Sequence, residues 1–275
     1  MEDYTLTKTM LDDLPRAYIL EADSIDRLLV KPGRKLLGLA RMQAAYEATT
    51  TWCRAMWEQE FLPRDSQTIC TVSVLAEAVG HNVPGALASV LPSPQRGDNF
   101  MGVSRFALHK GDDAAHTPFD AAVGYLRMHS PAPVWVMLDT IATGATLVRG
   151  LEAAFRNVST PEQILLGAPA GSRLGVKRIA DVCARHHVQL TVFFFGAIFG
   201  LWRDGTALPW CHPDTIFSGT PRSARNREYT ARLFNNLEGF CSVGDCAANF
   251  FDVGEAEKNL QKEQERFGWN LNLEI

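Results

Sequence analysis

The chain of 275 residues contains no apolar run approaching the ~18 residues of a membrane span. It also has no excess of positive charge. Lys and Arg number 27 against 31 Asp and Glu, a net charge of −4, so there is no electrostatic ground for a nucleic-acid partner. The opening residues Met1 to Tyr4 bring neither a basic start nor an apolar signal core, and a cytoplasmic protein without a membrane partner is expected. Cysteine is sparse and scattered. None of the six pairs at CxxC spacing, and Cys241 and Cys246 stand apart from any other ligand pair, so neither a zinc site nor a disulfide framework is read and reduced, buried thiols are expected.

What remains is an apolar content of 46 %, enough for the core of one large α/β domain. One stretch organises it. Val134-Trp135-Val136-Met137-Leu138 is an apolar run of the length of a buried parallel strand, with Asp139 at its end. Thr140-Ile141-Ala142-Thr143-Gly144-Ala145-Thr146 follows as a short turn, and Leu147 to Phe155 reads as an amphipathic helix. A strand–turn–helix unit of this kind points backbone N–H groups outward beside a positive helix end, which suits a phosphate. Gly144 permits close backbone approach, and Thr143 and Thr146 offer hydroxyl donors. The spacing alone equally fits an ordinary βα turn with Thr146 near the helix N-cap.

Around this unit the pattern alternates strand and helix. Residues 1–34 have no strong period, and Asp23 to Val30 fits either a strand or a short helix. Arg34 to Phe61 reads as a long helix with Leu36, Leu37, Ala40, Ala44, Ala45 and Ala48 on its apolar stripe and Arg41 and Gln43 off it. Strands are expected at Cys70–Leu75, Met101–Phe106, Gln163–Ala168 and Val188–Phe195, with helices at Val83–Leu91 and Gly171–His186. Such alternation predicts a mostly parallel sheet with helices on both faces. Between Leu108 and Pro118 lies a polar loop rich in His, Lys and Asp.

The segment Leu138 to Thr146 resembles the phosphoribosyl pyrophosphate (PRPP) loop of type I phosphoribosyltransferases, and its single acid before Ala-Thr-Gly is most similar to the uracil phosphoribosyltransferase branch. The resemblance runs with gaps from Lys35 to Thr220. It includes Tyr46-Glu47-Ala48-Thr49, the Gly102-x-x-Arg105 strand, and the frame Pro209, Asp214, Phe217, Gly219 and Thr220. It implies three parts: an N-terminal segment 1–34, a phosphoribosyltransferase-like domain 35–220 carrying a flexible hairpin, and a C-terminal helical extension 221–275. It further implies Asp139 at the ribose hydroxyls, Thr143, Gly144, Ala145 and Thr146 around the 5′-phosphate, Thr140 and Ala142 among the substrate-binding residues, and Arg105 and Lys110 facing pyrophosphate. Mg²⁺ as cofactor and a homodimer follow from the same resemblance.

Three departures touch three ligand regions. Where the family has an Arg-Ala-Gly turn after its strand, this chain has Ala76-Glu77-Ala78. An acid there would repel pyrophosphate unless a metal intervened. The family's Ala-Pro-Glu-Gly becomes Ala168-Pro169-Ala170-Gly171, and its glycine-rich base loop becomes Trp210-Cys211-His212-Pro213. Plain uracil is therefore not the expected acceptor. Trp210 points to a larger or more apolar ligand, and His212, Asp214 and Glu77 are candidate acid/base groups beside Asp139. Three functions fit: a phosphoribosyltransferase-like enzyme acting on a small molecule, a repurposed enzyme of the same fold acting on a bulkier apolar or phosphate-bearing substrate without PRPP, and a non-catalytic regulator that binds a nucleotide or PRPP.

Overall fold

The computed structural model describes residues 2–30, 34–109, 115–129, 131–233, 251–267 and 272–274. Its centre is β7 (Val134–Leu138), buried along its whole length. Val136 and Leu138 pack with one helical layer, Trp135 and Met137 with the other. That alternation is the period of two of a strand covered on both faces.

β7 lies in an eight-stranded sheet. Its neighbours are β4 (Ile69–Leu75) on one side and β8 (Gln163–Ala168) on the other, both parallel to it. Beyond β8 come β10 (Gln189–Phe195), β2 (Ala17–Ala22) and β1 (Tyr4–Lys8); beyond β4 come β5 (Gly97–Ala107) and β6 (Phe119–Arg127). Only the edge strands β1 and β6 run antiparallel to their neighbours. Residues 1–34, which show no strong period, thus supply two strands of the main sheet and the helix α1 (Asp23–Val30).

The strand order reverses between β4 and β7. From β4 the chain moves outward to β5; from β7 it moves the other way, to β8 and β10. The helices diverge accordingly. α3 (Glu77–His81) and α4 (Val83–Ala88) follow β4 on the layer that holds α1 and the long helix α2 (Gly38–Glu58). α5 (Ala145–Asn157) and α6 (Arg173–Arg185) follow β7 and β8 on the other layer. Two connections leaving to opposite faces open a crevice at the strand ends, the usual place for a ligand in an open parallel sheet.

α2 begins later than the sequence predicts, because Arg34–Leu36 forms a short strand, β3, instead of the first turn. Arg41 is fully buried, not off the apolar stripe as its charge suggests. It lies one turn below Ala45 and two below Ala48, so the 3.6-residue period carries it into the core. The helix expected at 171–186 is preceded by the two-residue strand β9 (Gly171–Ser172), which pairs with β11 (Ala197–Phe199). β12 (Ile216–Phe217) completes this small sheet above the main one. α7 (Pro221–Leu233) and α8 (Val253–Phe267) are the described helices of the C-terminal extension, and β13 (Asn272–Glu274) pairs with β3. No helix among the described residues is long and apolar enough to cross a membrane.

Candidate functional site

The turn between β7 and α5 is stitched to the start of α6 by its carbonyl groups. Ser172 N donates to the Ile141 carbonyl at 2.8 Å, Ser172 Oγ to the Ala142 carbonyl at 2.5 Å, and Arg178 Nη1 to the Thr143 carbonyl at 2.7 Å. In a planar trans peptide the carbonyl and the following N–H point in opposite directions. Three consecutive carbonyls turned toward α6 therefore turn the amides of Ala142, Thr143 and Gly144 away from it. The first amides of α5 continue this array, since a helix leaves its opening N–H groups without intrahelical acceptors.

Two glycines make the arrangement possible. Gly144 has φ +74°, and a Cβ there would stand 2.5 Å from the Gly175 carbonyl oxygen; a Cβ on Gly175 would stand 2.4 Å from that of Ala142. The Gly175 amide is held by Ser172 Oγ at 2.9 Å, which caps α6. Thr143 is 1 % exposed, and its hydroxyl has no partner among the described residues. Ala142 and Ala145 are buried as well, while Thr140 and Thr146 at the two ends are half-buried. The turn is thus a cluster of donors short of acceptors.

Across the crevice stands Glu77, the first residue of α3, just after the cis peptide bond between Leu75 and Ala76. Thr140 Oγ1 donates to Glu77 Oε1 at 2.5 Å. Asp139, 6 % exposed, continues the strand by donating its amide to the Gly167 carbonyl at 3.2 Å. Two carboxylates, Asp139 and Glu77, therefore flank the front of the turn. No group of three or more His, Cys, Asp and Glu placed to hold a metal ion occurs among the described residues.

The remaining expected site residues disperse. Arg105 stacks its guanidinium over the Phe119 ring, 4.8 Å from the centroid, on the β5–β6 hairpin. Lys110 lies outside the described residues. Trp210 is 2 % exposed and packs against Phe199 and Phe217 with ring centroids 4.9 and 6.0 Å away. Its indole is part of the core, so it does not offer the apolar ligand wall read from the sequence. His212 Nδ1 accepts the Asp214 amide at 3.2 Å, and the Asp214 side chain is 83 % exposed.

A cavity of about 640 Å³ opens at the start of α6, on the side of it where Asp13, Arg173 and Lys177 stand; no residue of the turn lines it. Ser172, which also bonds to the Ala142 carbonyl, lines it; Phe199, Leu201 and Ile216 give it apolar walls; Lys177 and His116 stand at its polar side. His116 comes from the hairpin, which reaches the loop after β11 where Thr117 N donates to the Arg203 carbonyl at 2.8 Å. Asp214 lines the cavity too.

Ser172, Gly175 and Arg178 escape a reading by motif, whereas Glu77 is a candidate acid/base group from the sequence. Only Gly175 carries a signal, a glycine inside an otherwise apolar-periodic helix, which marks close backbone approach.

No protein-family model matches the chain, and no curated protein matches it. Solved structures do. The adenine phosphoribosyltransferase of Trypanosoma brucei, in complex with AMP, pyrophosphate and ribose 5-phosphate, is similar over 70 % of this chain and 87 % of its own, at 11 % identity and a TM-score of 0.42. The hypoxanthine-guanine phosphoribosyltransferase of L. donovani is similar over 60 % of this chain and 84 % of its own, at 14 % identity and a TM-score of 0.34. The hypoxanthine phosphoribosyltransferase of Staphylococcus aureus is similar over 54 % and 73 %, at 15 % identity and a TM-score of 0.32. The chain is an α/β protein whose large, mostly parallel sheet carries helices on both faces.

Proposed function

We propose that this protein is a phosphoribosyltransferase-like enzyme. It binds the 5-phosphoribosyl group of PRPP or a related sugar phosphate and acts at C1 of the sugar, with an acceptor other than plain uracil. The observation that carries this reading is the donor cluster of the β7–α5 turn: amides turned outward, a buried Thr143 hydroxyl without a partner, and a helix N-terminus behind them. A phosphate supplies the acceptors that this cluster lacks.

With the phosphate at Thr143 to Thr146, the sugar ring extends back along the turn toward Asp139, whose carboxylate accepts ribose hydroxyls. Positive charge develops on C1 and the ring oxygen as the bond to the leaving group stretches, and carboxylates at that point stabilise it. The hairpin, bonded to the loop after β11, keeps water from the crevice. If Mg²⁺ arrives with the phosphates, Asp139 and Glu77 are the carboxylates placed to share it, and it would neutralise charge on the leaving oxygens.

Calorimetric titration with ribose 5-phosphate and with PRPP, with and without Mg²⁺, tests the reading. Thr143→Val is the decisive variant. It removes an unpartnered buried hydroxyl at nearly constant shape, so the fold should hold or gain about 1 kcal/mol, while sugar-phosphate affinity falls roughly 10-fold or more. Asp139→Asn should weaken binding as well. Equal affinity in Thr143→Val and the parent would sink the phosphate site.

A further inference from the structure

The turn from Asp139 to Thr146 contains no Lys, Arg or His. A phosphate monoester at neutral pH carries close to two negative charges, and amides alone set no full positive charge against them. The cations expected from the sequence stand elsewhere. Arg105 lies over the Phe119 ring, and Lys110 is outside the described residues.

α6 brings a cation instead. Its basic residues divide between two sides. Arg173 and Lys177, four apart, share one side. Arg173 bonds to Asp13 at 2.8 and 3.1 Å, and Lys177 to Asp181 at 3.0 Å. Arg178, one residue further on, reaches the phosphate turn, where its Nη1 donates to the Thr143 carbonyl at 2.7 Å. Unlike Arg149, Arg173 and Arg185, it forms no ion pair among the described residues. The Asp120 carboxylate feels its charge from the hairpin, but both oxygens of that group are taken by Arg149. Glu152 is shared by Arg149 and Arg185. Arg149, Arg178 and Arg185 thus face two carboxylates, Asp120 and Glu152, and the positive charge left over is that of Arg178.

We infer that Arg178 supplies the positive charge of the phosphate site, acting through the Thr143–Gly144 peptide, and that the site therefore selects the dianionic form of a phosphate monoester. This inference rests on the phosphoribosyl reading above. The Thr143 carbonyl and the Gly144 amide belong to one planar group and point opposite ways. A guanidinium on the carbonyl polarises the peptide and makes the amide on its other side a stronger donor. The field of the half-buried cation reaches the ligand by the same route with little screening. Arg178 touches no ligand atom in this arrangement. It is a positioning residue that also charges the turn from behind. The second negative charge of the phosphate forms near pH 6, so that is where the discrimination falls. The groups about Arg178 hold their charge there: Arg149 keeps the Asp120 carboxyl at about 2, and Asp120 raises Arg149 in turn. Glu152 and Arg185, Lys177 and Asp181, and Asp139 and Glu77 at the front of the turn are common to the parent and to each variant below.

The full-length protein would be titrated calorimetrically with ribose 5-phosphate at about pH 5 and about pH 7.5. The parent should bind about 10-fold more tightly at the higher pH, following the dianion. Arg178→Gln should bind about 10-fold or more weakly than the parent at the higher pH, with a much smaller loss at the lower, and Arg178→Lys should recover most of the difference. Melting temperatures check that each variant is folded. Equal affinity of the parent at the two pH values would overturn the inference, whatever the variants do. So would Arg178→Gln matching the parent at the higher pH, or losing the same factor at both, as an arginine that only braces the turn requires. Each of these outcomes leaves the phosphoribosyl reading standing, because ribose 5-phosphate still binds. No binding by the parent at either pH would end both.

Discussion

Gly144 and Gly175 act as one device. Each lacks the carbon that would strike a carbonyl of the other's segment, at 2.5 and 2.4 Å. A Gly144→Ala exchange meets that contact and also places a side chain at φ +74°, which by itself costs about 1–2 kcal/mol. Thermal unfolding should shift down by roughly 4 °C or more, and sugar-phosphate binding should fall with it. Gly175→Ala, at an ordinary helical φ, should do the same through the contact alone, so the two midpoints compared separate strain from crowding. A second prediction concerns His81. Burial, helped by the charge of Arg41, lowers its pKa to about 3. The unfolded chain takes up a proton near pH 6.5 that the folded one refuses. Stability should therefore be undiminished above that pH and fall by up to about 1.4 kcal/mol per unit as the pH drops from 6.5 toward 3. His81→Leu should flatten this acid limb in denaturant titrations, and Thr49 would keep its 2.7 Å bond to the Ala45 carbonyl. At this scale the sequence is legible where chemistry is local. Asp139, Thr143 and Gly144 declare themselves by a strand end, a hydroxyl and a tight turn. Trp210 does not, because an indole reads alike on a ligand wall and in a core. Arg41 misleads for the converse reason: its charge says surface and its helical phase says core.

Among the elements, the β5–β6 hairpin is held at two points. Close to its turn it is pinned to α5 by Asp120, which takes Arg149 Nε at 2.7 Å and Nη2 at 2.9 Å. The guanidinium pulls the Asp120 carboxyl down to about 2, so this contribution is present above the ordinary carboxylate range and lost as pH falls through 2. Its far end meets the loop after β11 at Gly205, where a Cβ would lie 2.3 Å from the Thr117 carbonyl oxygen and 3.0 Å from the Phe119 ring. Gly205→Ala should push the two apart and open the crevice to water. The expected result is faster hydrogen exchange at residues 115–119 and a raised KM, with a fall in melting temperature comparable to that of Gly144→Ala, since Gly205 too has φ +74°. Asp120→Asn should loosen the other point, read as quicker protease nicking between β5 and β6. Strand and helix alternation announces the central elements well, because each buries a full face. The hairpin's two anchors are beyond such a reading, since they join segments that are distant along the chain and share no pattern.

Over the whole molecule, the first described residues and the start of α7 are both fastened to α1. Glu2 accepts the Ser24 amide at 2.5 Å and the Thr51 hydroxyl at 3.1 Å, linking the first residues to α1 and α2. Arg222 at the start of α7 reaches Asp23 and Asp26 of α1, both at 2.6 Å, and Asn226 adds a 2.7 Å bond to Asp26. Removing Arg222 leaves Asp26, whose pKa burial already raises, with less to hold its charge. Arg222→Ala should therefore destabilise the protein, by about 1–3 kcal/mol in denaturant unfolding, and free α7 to exchange. None of this is visible in composition, where Arg222 and its neighbours read as a solvated basic face. The segment 1–34 hides its place for the same physical reason: an edge hairpin and a short helix need little periodicity when the sheet beside them supplies the partner. That dependence has a consequence in time. β2 pairs with β10, whose Phe195 faces Leu20 in the register, so during synthesis the β1–β2 hairpin finds its neighbour only after β10 has been made. At ordinary rates of translation the wait is on the order of 10–30 s. Throughout that interval Ile19 and Leu20, both buried in the finished molecule, stand uncovered beside an open strand edge, which makes this hairpin the natural client of a chaperone.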